Sequence, residues 1–364
     1  MKIFIVCPRL CHGGAERVGA TLANGFANRG HEVFMISDLY EEVTFRLAEN
    51  VTLLNLTAPS KNTYIKWLHA IRILRAYVKN EKPNVIIGIM ELCSFVSKVA
   101  CIGYNIPIIA TEHNSFERPS SAPMGKKSFF MKYFVNKIYD KVTVLTDADR
   151  VLTQSHLRNV QVMPNPLCLP SLTTVPVKKN IVLAVGRIDN WHYKGFDVLL
   201  DAWGKIAKRF PNWKLQIVGP CRQISNKKYL LEIGAKWNCS NQIEILNFES
   251  DIQKVYEKAS VFVLSSRYEG FGLVLIEAMS QGCACIACDY KGRQQEILQN
   301  SKNGVLCEPD NIDALSESLS KVLENAFYRS RIQNNAIVRS KFYSLENTMD
   351  RWEQLLSQII KNDK

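Results

Sequence analysis

The sequence predicts an α/β protein of two doubly wound domains, each a parallel sheet with helices on both faces. Three observations carry this. Short apolar runs alternate with longer helical segments as far as Met163, and the alternation restarts at Ile181. Between them lies Pro164-Asn165-Pro166-Leu167-Cys168-Leu169-Pro170, followed by Pro176, and four prolines in thirteen residues fit neither a helix nor a central strand. Glycines stand where strand runs give way to helical ones, at Gly13-Gly14 and at Gly270-Phe271-Gly272.

In the first half, Lys2–Cys7 opens as an apolar strand, and Ala15–Arg29 follows as a helix stopped by Gly30. His31–Ser37 is the next strand, Tyr64–Asn80 a long helix and Asn84–Met90 a strand. Then come Leu92–Gly103 as helix, Ile106–Thr111 as strand and Lys126–Tyr139 as helix. Lys141–Leu145, Asp147–Gln154 and Val160–Met163 complete this half as strand, helix and strand. In the second half the strands are Ile181–Gly186, Lys214–Gly219, Ile243–Phe248, Val261–Leu264, Ala284–Ala287 and Val305–Cys307, with helices between them. From Ile312 to Lys361 the chain reads as helix throughout. The expected domains are 1–168 with a returning C-terminal helix in 345–364, and 177–344. Ligands of such sheets bind outside the carboxyl ends of the strands, so a cleft between facing strand ends is expected.

Composition narrows the function. Hydrophobic residues make up 47% of the chain and charged residues 22%, values of a globular protein. No apolar run is long enough to span a bilayer, and Met1 to Pro8 is too short for a signal-peptide core, so a cytosolic setting is expected. The 11 cysteines are an odd number, and Cys285-Ile286-Ala287-Cys288 lies in an apolar strand without a second pair at metal spacing, so they read as buried thiols. Net charge is +12, and residues 61–82 and 118–141 each carry six Lys/Arg against one acid. In the second segment Phe129, Phe130, Met131, Tyr133, Phe134 and Val135 lie among Lys126, Lys127, Lys132 and Lys137. That pattern fits a helix on an anionic membrane surface, or an ordinary helix with its apolar face in the core. No nucleic-acid motif accompanies the charge.

The residues with chemistry lie at strand ends. Glu269-Gly270-Phe271-Gly272-Leu273-Val274-Leu275-Ile276-Glu277 runs from the loop after Val261–Leu264 into a helix. Unpaired N–H groups at a helix start attract phosphate, and glycines allow the backbone to approach it. Carboxylates beside a phosphate site suit the hydroxyls of a sugar, and two of them flanking a diphosphate describe a nucleotide-diphosphate sugar. Arg187 and Lys194, in Gly186-Arg187-Ile188-Asp189-Asn190-Trp191-His192-Tyr193-Lys194-Gly195, are two cations for the diphosphate. His12-Gly13-Gly14 opens the first helix, without the spacing of a dinucleotide fingerprint. His113 follows the strand Ile106–Thr111. His31, His69, His156 and His192 lack such placement and read as structural or surface residues. Asp147-Ala148-Asp149 has the spacing of a metal-binding D-x-D but reads as a helix cap.

The Glu269-x7-Glu277 stretch resembles the signature of the retaining GT-B glycosyltransferases of family GT4. The likeness extends in order through the Gly-Gly loop, His113, Pro164-Asn165, Arg187/Lys194 and the two glutamates. The family pattern is Gly-Arg-x4-Lys-Gly, and this chain has two extra residues before Lys194. The resemblance implies that Glu277 binds ribose hydroxyls and Glu269 those of the transferred sugar. It implies that Gly13, Gly14, Gly270, Phe271, Gly272 and Leu273 line the donor site, that Arg187 and Lys194 hold the diphosphate, and that His113 touches the sugar near the reacting carbon. It further implies front-face transfer with retention, no metal or other cofactor, a UDP-sugar as favoured donor with GDP-mannose second, and a lipid-linked or oligosaccharide acceptor. On this reading the basic segments dock on the cytoplasmic face of an anionic membrane. A GT-B epimerase, a phosphorylase and a catalytically silent GT-B subunit are the alternatives.

Overall fold

Met1–Cys168 joins Leu345–Lys364 in one unit of the computed structural model, and Leu169–Ser344 forms a second. The structure describes residues 1–362 apart from His12, Ser121 and Ser250, and the side chains of residues 361 and 362 are also left aside.

The first unit runs β1 (Lys2–Cys7), α1 (Gly14–Asn28), β2 (Glu32–Ser37), β3 (Val51–Asn55), α2 (Thr63–Glu81), β4 (Val85–Ile89), α3 (Met90–Ala100), β5 (Ile108–Thr111), α4 (Lys126–Tyr133), β6 (Lys141–Val144), α5 (Asp147–Thr153) and β7 (Val160–Val162). Its seven strands are all parallel, in the order β3-β2-β1-β4-β5-β6-β7. Right-handed crossovers place α1 on one face and α2, α3 and α4 on the other. The central strands are apolar along their length because both faces are covered.

The second unit runs β8 (Lys179–Val185), α6 (Trp191–Lys194), α7 (Phe196–Ile206), β9 (Lys214–Val218), α8 (Ile224–Lys236), β10 (Ile243–Leu246), α9 (Ile252–Lys258), β11 (Ala259–Leu264), α10 (Leu273–Ser280), β12 (Ala284–Cys288), α11 (Arg293–Leu298), β13 (Val305–Cys307), α12 (Ile312–Glu324) and α13 (Ala326–Ser340). Its six parallel strands are ordered β10-β9-β8-β11-β12-β13. The order reverses between β8 and β11, which is where a doubly wound sheet opens a crevice for a ligand.

The last helix, α14 (Leu345–Asn362), packs on α1 of the first unit. The Trp352 ring meets Phe26 edge-on at 6.0 Å. Around this contact, Arg29 pairs with Asp350 at 2.6 Å and His31 Nε2 with Glu353 Oε1 at 2.6 Å.

Several expectations need correction. β3 was not expected: it is a short edge strand, largely exposed, and lacks the apolar run that marks its neighbours. The tail from Ile312, expected to be helical throughout, is three helices, with a break at Asn325 and a 3₁₀ turn, Lys341–Tyr343, before the last of them. Asn325 breaks it and caps α13 by accepting from the Tyr328 N–H. The helix expected over Lys126–Tyr139 stops at Tyr133 and gives way to a 3₁₀ turn, Val135–Ile138. The cysteines are free thiols, nine of them buried, and burial raises the Cys283 thiol to about 11. No described helix is long and apolar enough to cross a membrane.

Trp352 is 2% exposed, so Trp352→Ala should cost about 3 kcal/mol of first-unit stability, read as a lowered denaturation midpoint. A loss below about 1 kcal/mol would mean that α14 is not part of that unit's core.

Candidate functional site

The loops leaving β8, β9 and β11 meet in backbone contact at the carboxyl edge of the second sheet. A Cβ on Gly219, just after β9, would lie 1.8 Å from the Gly186 carbonyl oxygen, so only glycine fits. Gly195 has φ +62°, and a Cβ there would lie 2.0 Å from the Ser265 carbonyl oxygen. Between these two contacts the residues after Arg187 form a 3₁₀ turn, Ile188–Asn190, and the single helical turn α6. The two extra residues are taken up there. Lys194 consequently lies across Gly186, its side-chain carbons 3.3 Å from where a Cβ would stand.

Lys194 Nζ donates to Glu269 Oε1 at 2.6 Å, and the Ser266 hydroxyl donates to the same oxygen at 2.8 Å. The cation expected at a diphosphate and the carboxylate expected at a sugar are therefore adjacent and paired. Both are partly accessible. Arg267 fixes this loop: its guanidinium makes two 2.8 Å bonds to Asp197 and reaches Asp310 at 2.8 Å. Arg187 is exposed at the start of the same turn. Its neighbour Asp189 accepts from the backbone N–H groups of Arg222 and Gln223 at 2.8 and 3.0 Å, which holds the loop after β9 and lowers the Asp189 pKa.

Gly272, at φ +93°, turns the chain into α10, and the Leu275 N–H closes back on its carbonyl at 2.8 Å. The N–H groups of Leu273 and Val274 point out of the helix start, where an anion would be held. Gly270 is half-buried in the same loop. The Phe271 side chain turns away into the core, its ring 5.6 Å from that of Tyr343, so it is the backbone of Phe271 that faces the loop. Glu277, one turn further on, is 2% exposed and accepts from the Tyr256 hydroxyl at 3.1 Å. The two glutamates thus sit in different surroundings, one at the loop surface and one below it.

In the first unit, a Cβ on Gly13 would fall 1.7 Å from Glu16 Oε2. The anion beside the Gly13-Gly14 turn in this structure is the protein's own carboxylate, folded back from the third helical residue as in a capping box. His12 lies outside the described residues. After β5, His113 Nε2 bonds the Thr111 hydroxyl at 3.0 Å, while Nδ1 is buried beside Asn165 without a well-aligned partner. Burial pushes the His113 pKa down to about 4, against the pull of Asn165, so the ring is neutral near pH 7. Its neighbour Glu112 is buried and accepts from Lys132 Nζ and from Asn136 Nδ2, each at 2.8 Å. Lys132 is 1% exposed, which corrects the expectation that it faces outward with the other lysines. Asp149 of the D-x-D accepts from Ser115 and from the Phe116 N–H and is buried, a loop brace and not a surface ligand.

Sequence reasoning missed Ser266, Tyr256, Asp189, Arg267 and Lys132. Ser266 stands three residues before Glu269 and was open to notice. The others act on partners 20 or more residues away, which no local pattern reveals.

Two family models match in tandem, "Glycosyltransferase Family 4" over residues 12–168 and "Glycosyl transferases group 1" over residues 173–339. A Campylobacter jejuni protein is 27% identical, over 99% of both chains. It is named as the α-1,4-N-acetyl-D-galactosaminyltransferase of GalNAc-α-(1→4)-GalNAc-α-(1→3)-diNAcBac-PP-undecaprenol. The amylovoran biosynthesis glycosyltransferase AmsD of Erwinia amylovora is 29% identical, over 95% of this chain and 96% of its own. Anabaena HepE, solved with UDP and glucose, shares the fold with a TM-score of 0.81 at 16% identity, covering 98% of this chain and 100% of its own.

The His113 pKa has a testable sign. The unfolded chain takes up a proton near 6.5 and the folded chain only near 4, so the stability His113 contributes is fully present above about 6.5 and is lost as pH falls towards 4. The loss should reach at most about 3 kcal/mol. Ring-proton NMR should show no His113 titration between about pH 6 and 8, and His113→Asn should flatten the pH dependence of the urea midpoint.

Proposed function

The chain belongs to the family 4 glycosyltransferases and is a hexosyltransferase of GT-B fold, and on that premise we propose the rest of its chemistry. It transfers a hexose or N-acetylhexosamine from a nucleotide-diphosphate sugar to a lipid-linked sugar or growing polysaccharide in cell-surface glycan synthesis. A UDP-sugar is the favoured donor and GDP-mannose the second. Two full-length relatives support the acceptor class: one is named for a PP-undecaprenol glycan, the other for amylovoran biosynthesis. Transfer proceeds with retention and without a metal.

The observation that carries this reading is the Lys194–Glu269 pair beside the start of α10. An ion pair of this kind presents a cation to a diphosphate and a carboxylate to sugar hydroxyls within one ligand's reach. Binding replaces the internal pair with two contacts to the donor. Lys194, Arg187 and the first N–H groups of α10 neutralise the charge that grows on the departing diphosphate. Glu277, oriented by Tyr256, takes the ribose hydroxyls. His113, neutral near pH 7, serves as a hydrogen-bonding group toward the sugar rather than as a charge. The departing phosphate accepts the proton of the acceptor hydroxyl, so no side-chain nucleophile is required.

Calorimetry against UDP, GDP, ADP and their sugars in EDTA tests the donor. Tight binding of one nucleotide family supports the reading, and binding that appears only with a divalent cation overturns its metal-free part. Glu269→Ala and Glu277→Ala should each lower kcat/KM for the donor by about 10- to 100-fold, the worth of a charge-assisted hydrogen bond. Tyr256→Phe should raise the donor KM about fivefold with little change in kcat. Full activity in both glutamate variants would refute the site assignment.

A further inference from the structure

Gln294, in the first turn of α11, is fully buried. A buried amide is costly unless its oxygen and its nitrogen both find partners. Its Oε1 accepts from the Tyr290 N–H at 2.7 Å, and its Nε2 donates at 3.2 Å to the carbonyl of Phe271, in the loop between β11 and α10. A backbone N–H only donates and a carbonyl only accepts, so these partners fix which way round the amide stands. The turn that carries Gln294 is itself braced. Asp289 accepts from the N–H groups of Gly292 and Gln295 at 3.0 and 2.9 Å. The Arg293 guanidinium lies 5.3 Å from the Tyr290 ring and donates to the Tyr290 carbonyl at 3.3 Å. Phe271 is thus gripped twice, by its ring against Tyr343 and by its carbonyl against Gln294.

The second grip decides where the next backbone donor points. The peptide from Phe271 to Gly272 is trans, as are all those among the described residues. In a trans peptide the C=O and the N–H point to opposite sides. With the Phe271 carbonyl drawn inward onto Gln294, the Gly272 N–H is turned away from that buried side chain. Sterics alone do not select this plane. Gly272 stands at φ +93°, and glycine takes positive and negative φ about equally well, so the peptide rotates over at little cost. The rotated plane exchanges the Gly272 N–H for the Phe271 carbonyl oxygen on the side away from Gln294. An anion on that side is attracted by the first plane and repelled by the second.

We propose that Gln294 is a positioning residue of the donor site. It holds the Phe271–Gly272 peptide in the plane that presents the Gly272 N–H to the donor's diphosphate, and it does so without touching the donor. This rests on the donor reading above and adds to it a residue from a separate element, reached through the Phe271 carbonyl.

Phe271-Gly272 is the only Phe-Gly pair in the sequence, so protein labelled with carbonyl-¹³C phenylalanine and ¹⁵N glycine shows this one peptide as a single NMR correlation. In the wild type, UDP should move the Gly272 amide proton downfield, and uridine, which has no phosphate, should not (GDP and guanosine replace them if calorimetry selects that family). Gln294→Met, equal in length but without the amide, should shift the Phe271 carbonyl upfield in the free protein. It should also weaken UDP binding and lower kcat/KM for the donor by about tenfold, while uridine, read from the other glycine amides, binds it as it binds the wild type. Gln295→Met, at the exposed neighbour, should change none of these. A Gly272 correlation left unmoved by UDP that binds the wild type would overturn the proposal even if Gln294→Met failed to fold. So would equal losses of UDP and uridine in that variant, the mark of a site loosened as a whole, or UDP binding within about twofold of the wild type. Binding of neither UDP nor GDP by the wild type would bring down the donor reading first and this proposal with it, which sets that failure apart from the others.

Discussion

The second unit depends on how closely three backbone loops approach one another. Gly219 against the Gly186 carbonyl, and Gly195 against the Ser265 carbonyl, bring the ends of β8, β9 and β11 nearer than side chains allow. Everything charged at that edge is positioned by this contact. Lys194 lies where it does because the turn before it is folded flat onto Gly186, and Glu269 is met because Ser265 is held against Gly195. Parallel strands supply only a row of carboxyl ends. The glycines convert that row into a small area where opposite charges come within hydrogen-bond distance.

At two places where a substrate is expected to take over, charged groups are satisfied internally. Lys194 and Glu269 neutralise each other, and Glu16 lies over the Gly13-Gly14 turn. Such pairs spare the empty protein the cost of unpaired partly buried charge. On the proposed donor site they also make recognition an exchange, in which a ligand offers both an anion and hydroxyls to improve on what it displaces. A simple phosphate replaces only half of the Lys194–Glu269 pair. The Lys132–Glu112 pair of the first unit shows the opposite use of charge: it is fully buried, and it holds α4 against the end of β5.

Much of the architecture was legible because buried parallel strands are uniformly apolar and the glycine and proline stops between them are sharp. β3 escaped because an edge strand with one lightly covered face carries no such run. The breaks at Asn325 and after Tyr133 escaped because helix propensity continues across them, and the chain turns for reasons of packing. Local motif spacing pointed to Arg187, Lys194, Glu269 and Glu277 as candidates. It could not show that Lys194 and Glu269 bond one another, nor that Tyr256 stands under Glu277, since those partners lie on separate elements. Lys132 is the clearest misreading. Composition counts a lysine among phenylalanines as surface charge, and only the position of Glu112 on the neighbouring strand end draws it inward.

The return of α14 to α1 sets an order of assembly during synthesis. Once the first 168 residues have emerged from the ribosome the whole first sheet is outside it, yet Phe26 still lacks Trp352 and Gly25 still lacks Met349, residues that close over α1 from some 320 positions further along the chain. The second unit, Leu169–Ser344, is continuous and emerges complete before those residues do. The half of the protein that is made first is therefore the half that is finished last, and a nascent chain spends the translation of some 180 residues with an apolar helix face uncovered.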